Sequence, residues 1–223
     1  MKKELKTAFL DTLPVMAGYL VLGMGFGVLL ESKGFGVLWA FCMSLFIYAG
    51  SMQYLAVSML SPGVSLVSAA VTTLMVNARH LFYGVSMVDK YKNTGKRKPY
   101  LIFALTDETY SLVCDGEHSD DYYLLVSLFN HFYWVAGSVL GSLIGSFLSF
   151  NTNGIDFALT ALFLTVFTEQ WLSQKRHRYA VIGVSASVVC LILFGAENFL
   201  IPSMALIAVT LLILSKKEGG RDE

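Results

Sequence analysis

The chain has 223 residues, 55% of them hydrophobic and 14% charged, with a mean hydropathy of +0.61. Those values leave the range of soluble domains and indicate an integral membrane protein. The formal net charge is +0, which argues against a nucleic-acid partner. Almost no polar sequence lies outside the apolar stretches, so function is expected within the bilayer.

A membrane-spanning helix needs about 20 mostly apolar residues. In chain order the candidates are Leu13–Leu30, Val37–Leu60, Val64–Val88, Tyr100–Cys114, Tyr122–Phe150, Ile155–Leu172, Tyr179–Ala196 and Phe199–Ser215. The basic start (Lys2, Lys3, Lys6) before the first of these resembles a signal peptide. The apolar run is too long for one, and Glu31-Ser-Lys33 is no small-residue cleavage site, so it reads as a retained first span. Gly23, Gly25 and Gly27 inside it lack the strand–turn–helix context of a nucleotide loop and read as flexible or closely packed helix.

The second stretch is dented at Ala49-Gly-Ser-Met-Gln53. Gln53 can offer amide contacts to a zwitterion or form an interhelical hydrogen bond. The third is broken near its cytoplasmic end by Asn77, Arg79 and His80. Arg79 presents a planar fork that matches a carboxylate, with Asn77 adding a polar contact. Alternatively Arg79 snorkels towards Lys90 from roughly 13 Å inside the boundary, or pairs with an acid. His80 titrates near neutrality and is either a proton shuttle or a hydrogen-bonded structural histidine.

Tyr100–Cys114 is too short to cross and carries Asp107 and Glu108 between Thr106 and Thr109. These acids can hold a substrate ammonium, relay a proton, or satisfy the amides at a helix start, with Thr106 or Asp107 as N-cap. Adjacent helical residues point about 100° apart, so one of the two is expected to face a cavity. Asn130 and His131, within Leu128-Phe-Asn-His-Phe-Tyr-Trp134, suit either a proton-coupling interior or an aromatic interface belt. Gly137, Gly141 and Gly145, each followed by serine, form a doubled small-xxx-small ridge for close helix packing, within the chain or against a partner. Glu169 reads as a helix-end residue, and His118 and His177 as loop residues.

Orientation follows from Lys and Arg. The N-terminus, Lys90 to Lys98, Lys175 to Arg178, and Lys216 to Arg221 all fall in the cytoplasm by the positive-inside rule. Even numbers of crossings must separate these clusters, yet three stretches lie in each of the first two intervals. One stretch in each fails to cross: Tyr100–Cys114, and Val37–Leu60. Irregular backbone at membrane depth is tolerated only where protein or a wet cavity satisfies it. The expected fold is therefore an all-α, polytopic integral membrane helix bundle with broken or re-entrant helices around a mid-membrane site, in a single transmembrane domain spanning 1–223.

No HExxH, GxSxG, P-loop or Cys/His arrangement occurs, and Cys42, Cys114 and Cys190 form no CxxC pair. The chain is expected to be no enzyme and to use no cofactor or metal. Intramembrane ionisable residues mark a transport path by default. The candidates are Gln53, Asn77, Arg79, Asp107 and Glu108 for substrate, with His80 and His131 for proton coupling.

Pro14 and its following glycines, Ala49-Gly-Ser-Met-Gln53, Val76-Asn-Ala-Arg-His-Leu-Phe-Tyr-Gly84 and Thr106-Asp-Glu-Thr-Tyr110 stand in an order that resembles the AzlC family, the large subunit of bacterial branched-chain amino acid exporters. The resemblance covers nearly the whole chain. It implies export of valine, leucine or isoleucine across the bacterial plasma membrane, and a small AzlD-like membrane subunit as partner. It transfers no verified binding residue. A transporter of another small solute and a non-transporting membrane assembly subunit are the alternatives.

Overall fold

A computed structural model describes residues 2–60, 64–147, 164, 167, 168, 171, 172 and 177–219. The chain forms two compact units, Met1–Leu162 and Phe163–Glu223. Among the described residues there is helix but no strand. Among the same described residues, three helices are long and apolar enough to cross a membrane: Lys3–Ser32, Asp120–Phe147 and Arg178–Gly195. The all-α membrane bundle expected from composition is the fold observed.

The first unit is built on helix α1 (Lys2–Ser32) and helix α8 (Asp120–Phe147), which share its largest interface. Gly23 and Gly27 of α1 face Gly137 and Gly141 of α8. A Cβ on Gly23 would stand 3.0 Å from the Ser138 nitrogen, and one on Gly137 would stand 2.9 Å from the Tyr19 carbonyl oxygen. On Gly27 and Gly141 it would fall on the carbonyls of Ser138 and Met24 themselves. The small-residue ridge therefore packs within the chain. Helix association in lipid has little hydrophobic drive, so close backbone approach and satisfied polar groups carry it. The serines on the ridge are satisfied: Ser138 bonds back to the Trp134 carbonyl, and Ser142 donates to Glu31 Oε2 at 2.7 Å.

Around this pair run interrupted helices. Helices α2 (Val37–Phe46) and α3 (Gly50–Met59) replace the second stretch. The third becomes α4 (Leu66–Val76) and α5 (Arg79–Ser86). The fourth becomes α6 (Lys98–Phe103) and α7 (Asp107–Val113). Each expected dent is an actual break, with one shift of position. The first lies at 47–49, where Tyr48 takes φ 44, a left-handed conformation costly for a non-glycine residue. Gln53 is thus inside α3, one turn past the break.

The connecting segments pack at one end of the unit. Ala8, Met87, Tyr91, Leu101, Tyr123 and Val126 form part of an apolar cluster there, and burial pushes the Tyr91 phenol above its ordinary pKa. Lys90 Nζ donates to the carbonyls of Val113, Cys114 and Gly116. A cation thereby closes the exposed carbonyl end of α7, where it also suits the helix dipole.

In the second unit, α9 (Arg178–Asn198) is interrupted at Gly195, with φ 74, and α10 (Leu200–Gly219) follows. Trp171 stacks on His177 with ring centroids 4.2 Å apart. Glu169 and most of the Ile155–Leu172 stretch lie outside the described residues.

Candidate functional site

The break between α6 and α7 supplies the densest polar group in the first unit. Thr106 leaves the helical region at φ −86, ψ 173, and its side chain accepts from the Thr109 amide, so it is the N-cap of α7. The Tyr19 hydroxyl of α1 donates to Glu108 Oε2 at 2.6 Å and lies 2.7 Å from Thr106 Oγ1. Thr106 Oγ1 is 3.0 Å from Thr109 Oγ1, which accepts from Asn130 Nδ2 of α8 at 3.0 Å. Tyr19, Thr106, Thr109 and Asn130 are all buried, while Asp107 and Glu108 are half-buried. Three helices thus converge on one carboxylate.

The α2–α3 turn closes a second face of this group. Its Tyr48 ring stacks on His131 at 4.2 Å between centroids. The Tyr48 hydroxyl is buried close to Tyr19, Thr106 and Glu108. His131 is held at both nitrogens, Nε2 at 3.3 Å from the Ser44 carbonyl and Nδ1 at 3.1 Å from the Tyr100 hydroxyl. A carbonyl can only accept, so Nε2 carries a proton, and the Tyr100 hydroxyl at Nδ1 can donate to a neutral ring or accept from a protonated one. His131 faces the interior of the bundle, ringed by Tyr48, Tyr100 and Phe103.

Gln53 is wholly buried. Its Oε1 accepts from Trp134 Nε1 at 2.8 Å and its Nε2 donates to Ser44 Oγ at 3.2 Å. The Trp134 ring lies edge-on to Tyr19 at 5.4 Å and stacks at 6.4 Å on Phe26. A Cβ on Gly50 would meet that ring at 2.9 Å. Gly50 is therefore needed for contact with the indole, and Gln53 fixes the orientation of that indole beneath Tyr19.

The α4–α5 turn is a separate polar element. Asn77 caps α4, and its backbone carbonyl accepts from the His80 amide at 3.0 Å and sits 3.2 Å from the His80 ring. Arg79 opens α5, and its side chain lies outside the described residues. The turn reaches the acidic break through α5, where Tyr83 stacks on Tyr110 of α7 at 4.4 Å and Ser86 bonds the Tyr110 hydroxyl.

The structure thus brings Glu108, Asn130 and His131 into one region, with Asp107 beside them on α7 and Gln53 bracing its wall; Asn77 and His80 stand at a neighbouring turn. Sequence reasoning passed over Tyr19, Tyr48, Tyr100 and Ser44. Tyr19 carries a faint signal, since Tyr19, Gly23, Gly27 and Glu31 follow at i, i+4, i+8 and i+12 and share the α8-facing row.

Comparison with known proteins agrees with this architecture. The family model AzlC protein matches residues 14–148, the segment that holds every element of the site. A Bacillus subtilis protein named branched-chain amino acid transport protein AzlC is 45% identical over 216 residues, covering 95% of this chain and 85% of its own. An uncharacterized membrane protein of Helicobacter pylori is 43% identical, with 96% of each chain covered. The Escherichia coli inner membrane protein YgaZ is 29% identical, covering 96% of this chain and 91% of its own. No solved structure matches. The chain belongs to the AzlC family and is a membrane transport protein, not an enzyme.

Proposed function

We propose that this protein exports branched-chain amino acids, valine, leucine and isoleucine, across the bacterial plasma membrane as a secondary transporter, together with a small AzlD-like membrane subunit. Both units, residues 1–223, act as one transport domain, with the N- and C-termini in the cytoplasm. The observation that carries the reading is the convergence of two helix breaks with α1 and α8 on the half-buried Glu108, inside an otherwise apolar bundle. The name of the Bacillus subtilis relative supports the substrate class.

The substrate ammonium meets Glu108 or Asp107. Its carboxylate meets the Asn77–Arg79 turn, where an arginine fork matches it in shape and charge. An aliphatic side chain suits the aromatic wall of Tyr48, Phe103 and Trp134, and Gln53 holds that wall in place. Proton coupling falls to titratable groups in or beside the same region, His131 and His80 among them.

Cells loaded with a valine-containing dipeptide and expressing the chain with its partner should release valine faster than cells lacking both. Equal release contradicts export. Cysteine substitutions at Lys96, Arg176 and Lys217 should all be labelled only from the cytoplasmic side, and an external signal at any of them overturns the orientation.

A further inference from the structure

The polar group around Glu108 is one continuous hydrogen-bonded chain. It runs from Asn130 Nδ2 to Thr109 Oγ1 (3.0 Å), to Thr106 Oγ1 (3.0 Å), to Tyr19 Oη (2.7 Å) and to Glu108 Oε2 (2.6 Å). Each hydroxyl owns one proton and can also accept, so the chain has two orderly polarities. In the first, Tyr19 donates to an ionised Glu108 and Asn130 N–H to Thr109. The Thr109 and Thr106 hydroxyls turn towards Tyr19, reversing the Tyr19-to-Thr106 and Thr106-to-Thr109 donations that belong to the second. In the second, a protonated Glu108 donates to Tyr19 and the hydroxyls turn over in sequence, ending on the Asn130 carbonyl.

That last acceptor is ready. Asn130 is wholly buried, and its Oδ1 has no hydrogen-bond partner among the described residues. Rotating the carboxamide by half a turn presents Oδ1 to Thr109. The same five side chains therefore satisfy both charge states of one acid in a region where an unsatisfied charge or dipole is expensive. A purely structural acid needs only one of these states.

We propose that Glu108 binds a proton and the substrate ammonium in alternation, so that the two compete for one carboxylate and an amino acid leaves in exchange for a proton. Arrival of the ammonium expels the carboxyl proton to the side from which the substrate came. Departure of the ammonium on the far side leaves the carboxylate to take a proton there. The competition rests on the amino-acid reading above; the reversible protonation of Glu108 does not. Tyr19 is the positioning residue, because its hydroxyl is the donor that the ionised form gains. The titratable groups around Glu108 are Asp107 beside it on α7, Tyr19 on α1, which donates to it, and Tyr48 at the α2–α3 turn, with His131 of α8 stacked on Tyr48 and Tyr100 of α6 bonded to His131. His80 and Arg79 stand on the α5 side.

The test uses the full chain in lipid bilayers, titrated by infrared difference spectroscopy of the carboxyl C=O band, with L-valine binding followed over the same pH range. The expected result is a titrating band that E108Q removes, and valine affinity that falls about tenfold for each pH unit below the midpoint. In Y19F the ionised form loses its donor, so the midpoint should rise by about one pH unit or more, the equivalent of one charge-assisted hydrogen bond. Y19F keeps the ring against Trp134 and is informative even if E108Q fails to fold. A band that survives E108Q, a Y19F midpoint equal to wild type, or pH-independent valine affinity overturns the proposal. A titrating Glu108 in a protein that binds no valine overturns the amino-acid reading, and the competition with it.

Discussion

The α1–α8 seam and the broken helices around it solve the same problem in opposite ways. In the seam, backbone hydrogen bonds stay within continuous helices, and glycine rows let those helices touch. In the breaks, backbone regularity is given up, and side chains of other elements take over: Thr106 caps α7, Lys90 closes its far end, and Ser44 offers its carbonyl to His131. The difference separates a scaffold from a working region. Interdigitated backbones have no room for rearrangement, whereas a turn held by rotatable hydroxyls and aromatic rings has several satisfied arrangements.

The strongest way to break this division is to fill the seam. Gly141→Leu places a side chain on the Met24 backbone and should abolish accumulation of folded protein in the membrane, read by immunoblot and size-exclusion profile. Gly18→Ala lies on α1, the helix of Met24, with nothing within 4 Å of the added methyl, and should change stability by no more than about 1 kcal/mol in thermal melting. Comparable losses from both would mean that the seam is not the scaffold.

The working region should respond through transport before stability. E108Q keeps the shape of the side chain and removes the charge, and should cut valine efflux by about ten- to a hundredfold, the range of one charge-assisted contact. Gln53→Ala leaves the Trp134 indole N–H buried without its acceptor and should cost about 1–3 kcal/mol. Thermal melting and a shift in tryptophan fluorescence would both show it. The smallest effect is expected at the unit's end, where Tyr122 donates to the exposed Asp11 at 2.8 Å. Tyr122→Phe should cost less than about 1 kcal/mol by thermal melting. A larger loss there than at Gln53 would reverse the ranking.

The breaks were legible in the sequence because polar residues inside apolar stretches have few stable solutions in hydrocarbon. Asn77, Thr106 and the two acids mark their turns directly. The first break was displaced by a few residues, since glycine suggests backbone freedom whereas Gly50 is helical and exists for the Trp134 ring, and the left-handed turn falls on Tyr48. The small-residue ridge announced a face but not its partner, because a spacing rule describes one helix at a time. The site's remaining members were hidden for a chemical reason. Tyr19, Tyr48 and Tyr100 count as apolar in a span, and their hydroxyls acquire meaning only when the fold aims them at Glu108 or His131. Gln53 was visible as an intramembrane amide, but only the indole packed beneath it shows that both its amide atoms are already engaged.

The most direct measurement is valine efflux from cells carrying wild type or E108Q, with the partner subunit, at matched levels of protein in the membrane. The account predicts rapid release with wild type and near-background release with E108Q, at unchanged insertion. Equal efflux from the two would show that the carboxylate at the helix break is not on the transport path.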